Sequence, residues 1–161
     1  MMSTVSFKNM RILVIEPGDE ARSQMKLFFE KRGAIVHSVG RLEKIKTVVE
    51  GAIQSNELFD LILIEVRLPD CWEFYPLKKL NECLMGRRVP IFVMSSGFGR
   101  LALKQMSRYW VMGYIRKPFL LEGLEKYLLE RLNFFSDLLA EKKETNKKLS
   151  QVTQINRRAV P

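Results

Sequence analysis

The sequence predicts an α/β fold, a five-stranded parallel sheet with helices on both faces. Three observations predict it. First, Met10–Ile15 (MRILVI) and Leu61–Ile64, within DLILIEVRLPD from Asp60 to Asp70, are apolar without alternation, the pattern of strands buried on both faces. Second, strand-like segments alternate five times with segments of helical spacing, through short links. Third, an acid follows each apolar run, Glu16 after the first and Glu65 after the second. Open α/β sheets carry ligand and reaction sites along the carboxyl edge of their strands, so these acids mark that edge.

In order, Met10–Ile15 is the first strand, closed by Glu16, Pro17 and Gly18. Asp19 suits a helix N-cap. The helix runs to about Arg32 with Met25, Phe28 and Phe29 inward, and Gly33 stops it. Ala34–Val39 is a short strand. Leu42, Ile45, Val48, Val49 and Ile53 recur at helical spacing through about Gln54. After the central strand, a helix spans about Phe74 to Leu84, with Pro76 tolerated in its first turn. Pro90 introduces the strand Ile91–Met94, closed by Ser95, Ser96 and Gly97. Residues 99–109 read as a helix, Met112–Ile115 as the last strand, and Arg116–Phe119 as the turn into a final helix.

Composition bounds the function. The 161 residues are 47% hydrophobic and 10% aromatic, enough for one domain with a core and some forty residues to spare. No stretch approaches the ~18 apolar residues of a membrane span. Residues 1–10 lack the basic start and apolar run of a signal peptide, so a cytoplasmic location and no membrane partner are expected. Cys71, Cys83 and the single His37 have no metal-ligand spacing, and neither a disulfide nor a zinc site is expected. The net charge of +9, from 27 Lys and Arg against 18 Asp and Glu, points to an acidic partner. No hydrolase or nucleotide-binding signature is present, so an enzyme is not expected.

Four motifs in order, ILVIEP, DLILIEVRLPD, VPIFVMSS and GYIRKPF, carry a resemblance to a known family. Over about residues 10–130 the chain resembles the receiver domain of two-component response regulators, the CheY-like fold. The resemblance implies strand order 2-1-3-4-5, with the site where that order reverses. In such receivers an Asp ending the third strand accepts a phosphoryl group and an acidic pair after the first strand holds Mg²⁺. A Ser or Thr after the fourth strand and a Lys after the fifth grip the phosphoryl oxygens, and an aromatic on the fifth strand changes rotamer. Carried over, Ser95 matches the hydroxyl, Lys117 the cation, Tyr114 the aromatic and Glu16 the first acid. Lys117–Pro118 would be the family's cis peptide.

Two departures stand out. Glu65 occupies the phosphoacceptor position, and Pro17 the place of the second acid. Mg²⁺ takes near-octahedral oxygen ligands, usually including one or two carboxylates, and Pro17 has no side-chain oxygen. The Mg²⁺ site is expected to be lost, leaving no cofactor. Glu can in principle form an acyl phosphate, but its extra methylene moves the nucleophile by more than ~1 Å, a misplacement that can cost on the order of 10²-fold. The expectation is therefore an inactive pseudo-receiver in which Glu65 reaches toward Lys117 and Ser95. That pairing leads either to a domain held in one state or to a decayed site with no signalling consequence. Arg67 either leans into the emptied metal position or is exposed, and Asp19 is either a replacement ligand there or only a helix cap. Tyr114 is either a switch or a packing residue. Trp72, in a loop where receivers usually carry a Gly, is expected to be partly exposed.

Two further features lie outside the pocket. From Cys83 to Lys117 there are seven basic residues and no acid, and Arg100, Lys104 and Arg108 recur at i, i+4 and i+8. They predict a ridge along the fourth helix, either an interaction face for an acidic protein partner or a merely solvated helix side. Leu121, Leu124, Leu128, Leu132, Phe135 and Leu139 continue at helical spacing past the end of a receiver. Phe134, Phe135, Leu138 and Leu139 then form an apolar stripe in need of cover, and a coiled-coil homodimer is the simplest answer, a fold-back or a connector the alternatives. Residues 1–131 are thus expected to form a receiver-like domain and 132–161 a helical extension. Lys142–Lys148 is highly charged, with only Leu149, Val152 and Ile155 continuing the stripe, which predicts a fraying tail.

The leading expectation is a phosphorylation-independent receiver in signal transduction, acting by protein–protein interaction and dimerisation. Alternatives are a nucleic-acid-associated regulator using the basic face with Lys142, Lys143, Lys147, Lys148, Arg157 and Arg158, and a phosphorylatable receiver with a non-standard acceptor. No helix-turn-helix or interleaved aromatic pattern supports the nucleic-acid reading.

Overall fold

The computed structural model describes residues 4–97 and 99–158; the side chains of Leu101 and residues 149–158, and with them Leu149, Val152, Ile155, Arg157 and Arg158, lie outside the described set. The order is β1 (Arg11–Ile15), α1 (Asp19–Glu30), β2 (Ile35–Val39), α2 (Leu42–Gln54), β3 (Leu61–Glu65), α3 (Tyr75–Leu84), β4 (Ile91–Ser95), α4 (Arg100–Met106), β5 (Gly113–Arg116) and α5 (Leu121–Arg158). All strands pair in parallel in the order β2-β1-β3-β4-β5. Fold class and strand order are as the sequence predicts.

The central strand explains the arrangement. Leu61, Ile62, Leu63 and Ile64 are fully buried, and each such side chain is worth about 1.5–3 kcal/mol relative to exposure. A strand needing cover on both faces must lie inside the sheet, and β3 pairs with β1 through Ile12↔Leu61 to Ile15↔Ile64 and with β4 through Ile62↔Ile91 to Glu65↔Met94. The register brings Glu65, Ser95 and Arg116 to neighbouring strand ends, because Glu65 aligns with Met94 and Ser95 with Arg116.

Two elements differ from expectation. Gly18, not Asp19, is the N-cap of α1; Asp19 is the first helical residue, where its charge suits the helix dipole. The fourth helix ends at Met106, capped by Ser107, whose hydroxyl donates to the Lys104 carbonyl at 2.7 Å. Arg108 therefore lies in the following turn rather than on a third step of the predicted ridge. The charged tail is helix backbone to Arg158, with a Lys148–Glu144 pair at 2.8 Å and the Thr145 hydroxyl on the Glu141 carbonyl.

Ser6–Glu125 forms one compact unit, and the helix from Lys126 onward forms another together with Val5, whose N–H donates to Asn133 Oδ1 at 2.8 Å. In the second unit Phe134, Leu138 and Leu139 are exposed and Phe135 is half-buried. Among the described residues no helix is long and apolar enough to cross a membrane.

Candidate functional site

The carboxyl edge of the sheet holds a three-residue charge cluster. Glu16, one residue beyond β1, and Glu65, the last residue of β3, are buried acids. Lys117 follows β5, where its backbone N–H donates to the Ser95 carbonyl at 2.8 Å and the peptide bond to Pro118 is cis. Its ammonium bonds to Glu16 Oε2 and lies 3.0 Å from Glu65 Oε2. Each acid's other oxygen takes a main-chain donor: Gly18 N–H to Glu16 Oε1 and Arg67 N–H to Glu65 Oε1, both at 3.0 Å. Burial pulls the Lys117 ammonium down, but the hydrogen bonds and charges of Glu16 and Glu65 outweigh it and raise its pKa above the ordinary lysine value.

These contacts bear directly on a metal. The carboxylate oxygens that would face a divalent ion are already taken by an ammonium, and Pro17 offers no replacement. Among the described residues no three His, Cys, Asp or Glu side chains come together as a metal site. Asp19 does not fill the gap, since its exposed carboxylate pairs with Arg22. The residues present do not fit Mg²⁺.

Arg22 supports the site although no motif in the sequence singles it out. Its guanidinium donates to the Glu16 carbonyl at 2.9 Å and the Pro17 carbonyl at 3.3 Å, fixing the turn that carries Glu16. Its spacing of three from Asp19 on a helix was the available signal. Asp70, which the sequence places in the unusual loop beyond Glu65, has a role the sequence does not announce. Its carboxylate accepts the Leu42 N–H at 3.0 Å and so caps α2, whose own N-cap, Arg41, supplies no side-chain bond.

The remaining candidates are dispersed. Ser95 is buried, but its hydroxyl donates to the Gly97 carbonyl at 3.2 Å and accepts the Gly97 N–H at 3.4 Å, ordering its own loop instead of joining the charge cluster. Arg67 is exposed and pairs with Glu73 at 2.9 Å, so it does not lean into the metal position. Tyr114 is 39% exposed and Trp72 is 88% exposed, the latter far beyond the partial exposure expected. Arg100, Lys104 and Arg108 are all exposed. A cavity of about 390 Å³ opens beside the cluster, lined by Glu16, Met25, Ser96, Lys117, Phe119 and Leu121 among others. Burial raises the pKa of both Cys71 and Cys83, the opposite of what a reactive thiolate needs.

No family model matches the chain. A curated relative, the probable C4-dicarboxylate response regulator DctR of Halalkalibacterium halodurans, is 28% identical over 132 residues, covering 81% of this chain and 55% of its own. The chain thus spans about half the length of that relative. Among solved structures, a CheY-like response regulator receiver domain protein from Methanospirillum hungatei JF-1 superposes with TM-score 0.67 at 20% identity, covering 80% of this chain and 97% of that one. A two-component response regulator from Clostridium difficile gives TM-score 0.63 at 24% identity, with 76% and 95% covered. A fusion bearing the yeast Spc42 trimeric coiled coil gives 0.69 at 16% identity, with 94% and 99% covered. The fold is the CheY-like fold, and the sequence relative together with the two response-regulator structures supports a response-regulator receiver domain.

Proposed function

We propose that the chain is a phosphorylation-independent receiver domain that signals by protein–protein interaction and dimerisation. The observation that carries this reading is the Lys117 ammonium held between the carboxylates of Glu16 and Glu65. In the receiver pattern that lysine meets a phosphoryl group, with Glu65 in the acceptor position and Ser95 as the second phosphoryl-binding group. Here Glu65 brings its own negative charge to the lysine. With Pro17 in place of an acid, no metal charge is available to offset a phosphoryl group's approach to two carboxylates. Tyr114 then has no phosphoryl-dependent signal to follow.

Output falls to surfaces. Arg100, Lys104 and Arg108 offer cations with no ion-pair partner among the described residues to an acidic protein partner, and the extension from about residue 132 offers Phe135, Leu138 and Leu139 to a second copy.

Crystals grown with Mg²⁺ and beryllofluoride test the reading. The expected result is density for the Glu16–Lys117–Glu65 cluster alone; a divalent ion coordinated beside Glu65 would overturn it.

A further inference from the structure

The least economical part of the surface is the loop from β3 to α3. Trp72 stands 88% exposed there, although burying an aromatic side chain removes about 150–250 Å² from water. Two residues on, Phe74 sits at φ +67°, a left-handed conformation that a bulky non-glycine side chain adopts only at a cost. Tyr75 is 40% exposed beside them. The loop is not slack, because Asp70 ties it to α2 and the Arg67–Glu73 pair spans it.

Between this loop and α4 lie two hollows of about 210 and 470 Å³ that share Trp72, Glu73, Phe74 and Gln105 as a common wall. The smaller one is bounded also by Tyr75, Lys78, Arg108 and Tyr109. Arg108 has no ion-pair partner among the described residues, and Lys78 only a loose 3.9 Å pair with exposed Glu82. The one acid in the shared wall, Glu73, is already neutralised by Arg67. The rim is therefore cationic and the walls aromatic, the residue types that dominate binding energy in protein interfaces.

We infer that this cleft between the β3–α3 loop and α4 docks an acidic peptide segment of a partner protein, with a bulky apolar side chain set against Trp72 and Phe74 and carboxylates on Arg108 and Lys78. The inference deepens the proposed acidic-partner reading and rests on it, moving the anchor from the helix ridge to the cleft. Charge complementarity selects the occupant. A second copy, whose proposed contact is the helical extension rather than this cleft, brings 27 basic residues against 18 acidic ones and is the poorer match to a cationic rim. A single nucleic-acid strand needs open ring faces and a continuous cationic track, whereas Lys78 lies over the Tyr75 ring at 5.8 Å and the smaller hollow offers two cations, Lys78 and Arg108, rather than a track.

Selection of random twelve-residue peptides on the full-length chain, followed by fluorescence titration of the enriched peptides and of an oligothymidylate probe, tests this. Expected is enrichment of peptides with several Asp or Glu around an aromatic or Leu, with affinity falling about tenfold or more in Trp72→Ala and in Arg108→Glu. Arg88→Glu, beyond the far end of α3, should leave binding unchanged, and melting curves should show all three variants folded. If acidic peptides are enriched but respond to Arg100→Glu and Lys104→Glu and not to Trp72→Ala, the cleft is wrong and the acidic-partner reading stands. If no acidic peptides are enriched, or oligothymidylate alone binds through Trp72, both fall.

Discussion

The Nζ atom of Lys117 lies 3.0 Å from Oε2 of Glu65, joining the end of β5 to the end of β3 at the carboxyl edge of the sheet. Glu16 holds the same ammonium from the end of β1. The cluster thus ties the ends of β1 and β3, which pair as far as Ile15↔Ile64, to the end of β5 on the far side of β4, and its integrity is measurable.

Removing the lysine leaves two buried carboxylates facing each other. Lys117→Met should cost about 3 kcal/mol, at the low end for breaking a buried pair because the lysine remains partly accessible. Adding Glu65→Gln to that variant should recover part of the loss, since one of the two opposed charges is gone. Urea denaturation of both variants gives the comparison, and a double variant no more stable than Lys117→Met would break the link.

Alkaline titration addresses the same cluster. The Lys117 pKa is raised in the folded state, so its stabilisation is complete below the unfolded lysine value of 10.5 and is lost as pH rises through the higher folded value. Melting temperatures should fall in that alkaline window, and Glu65→Gln should narrow the window by bringing the folded value down. At neutral pH no titration of Lys117 is expected.

Asp70→Ala should destabilise the domain by about 0.5–1 kcal/mol, the lower part of the capping range, because the α2 N-terminus loses the acceptor of its Leu42 N–H at an exposed site. Denaturant midpoints report it, and Asp70→Asn should recover most of the loss.

Light scattering tests the extension. The full chain is expected to be dimeric and a chain ending at Leu132 monomeric, because the exposed Phe134, Leu138 and Leu139 are removed with it. Two monomers would end the dimer reading.

Much of this was legible in the sequence because it depends on local pattern. Unbroken apolar runs gave β1 and β3, the i, i+3, i+4 rows gave the inward Met25, Phe28 and Phe29 of α1, and the four ordered motifs gave the strand order and the positions of Glu16, Glu65 and Lys117. Contacts between distant residues were not legible. Asp70 and Leu42 are 28 positions apart and neither residue type announces the other. The length of α4 was overestimated because Arg100, Lys104 and Arg108 keep helical spacing past the point where Ser107 closes the helix. The Ser95 hydroxyl turned to Gly97 for a similar reason: a nearby main-chain partner in its own loop satisfied it before the charge cluster could.

The central claim is that Glu65 and its neighbours no longer take up a phosphoryl group, and intact-mass spectrometry of the full chain after incubation with acetyl phosphate and Mg²⁺ tests it most directly. The mass is predicted to be unchanged, in the native chain and in Glu65→Gln alike. A product heavier by one phosphoryl group in the native chain, absent in Glu65→Gln, would contradict it.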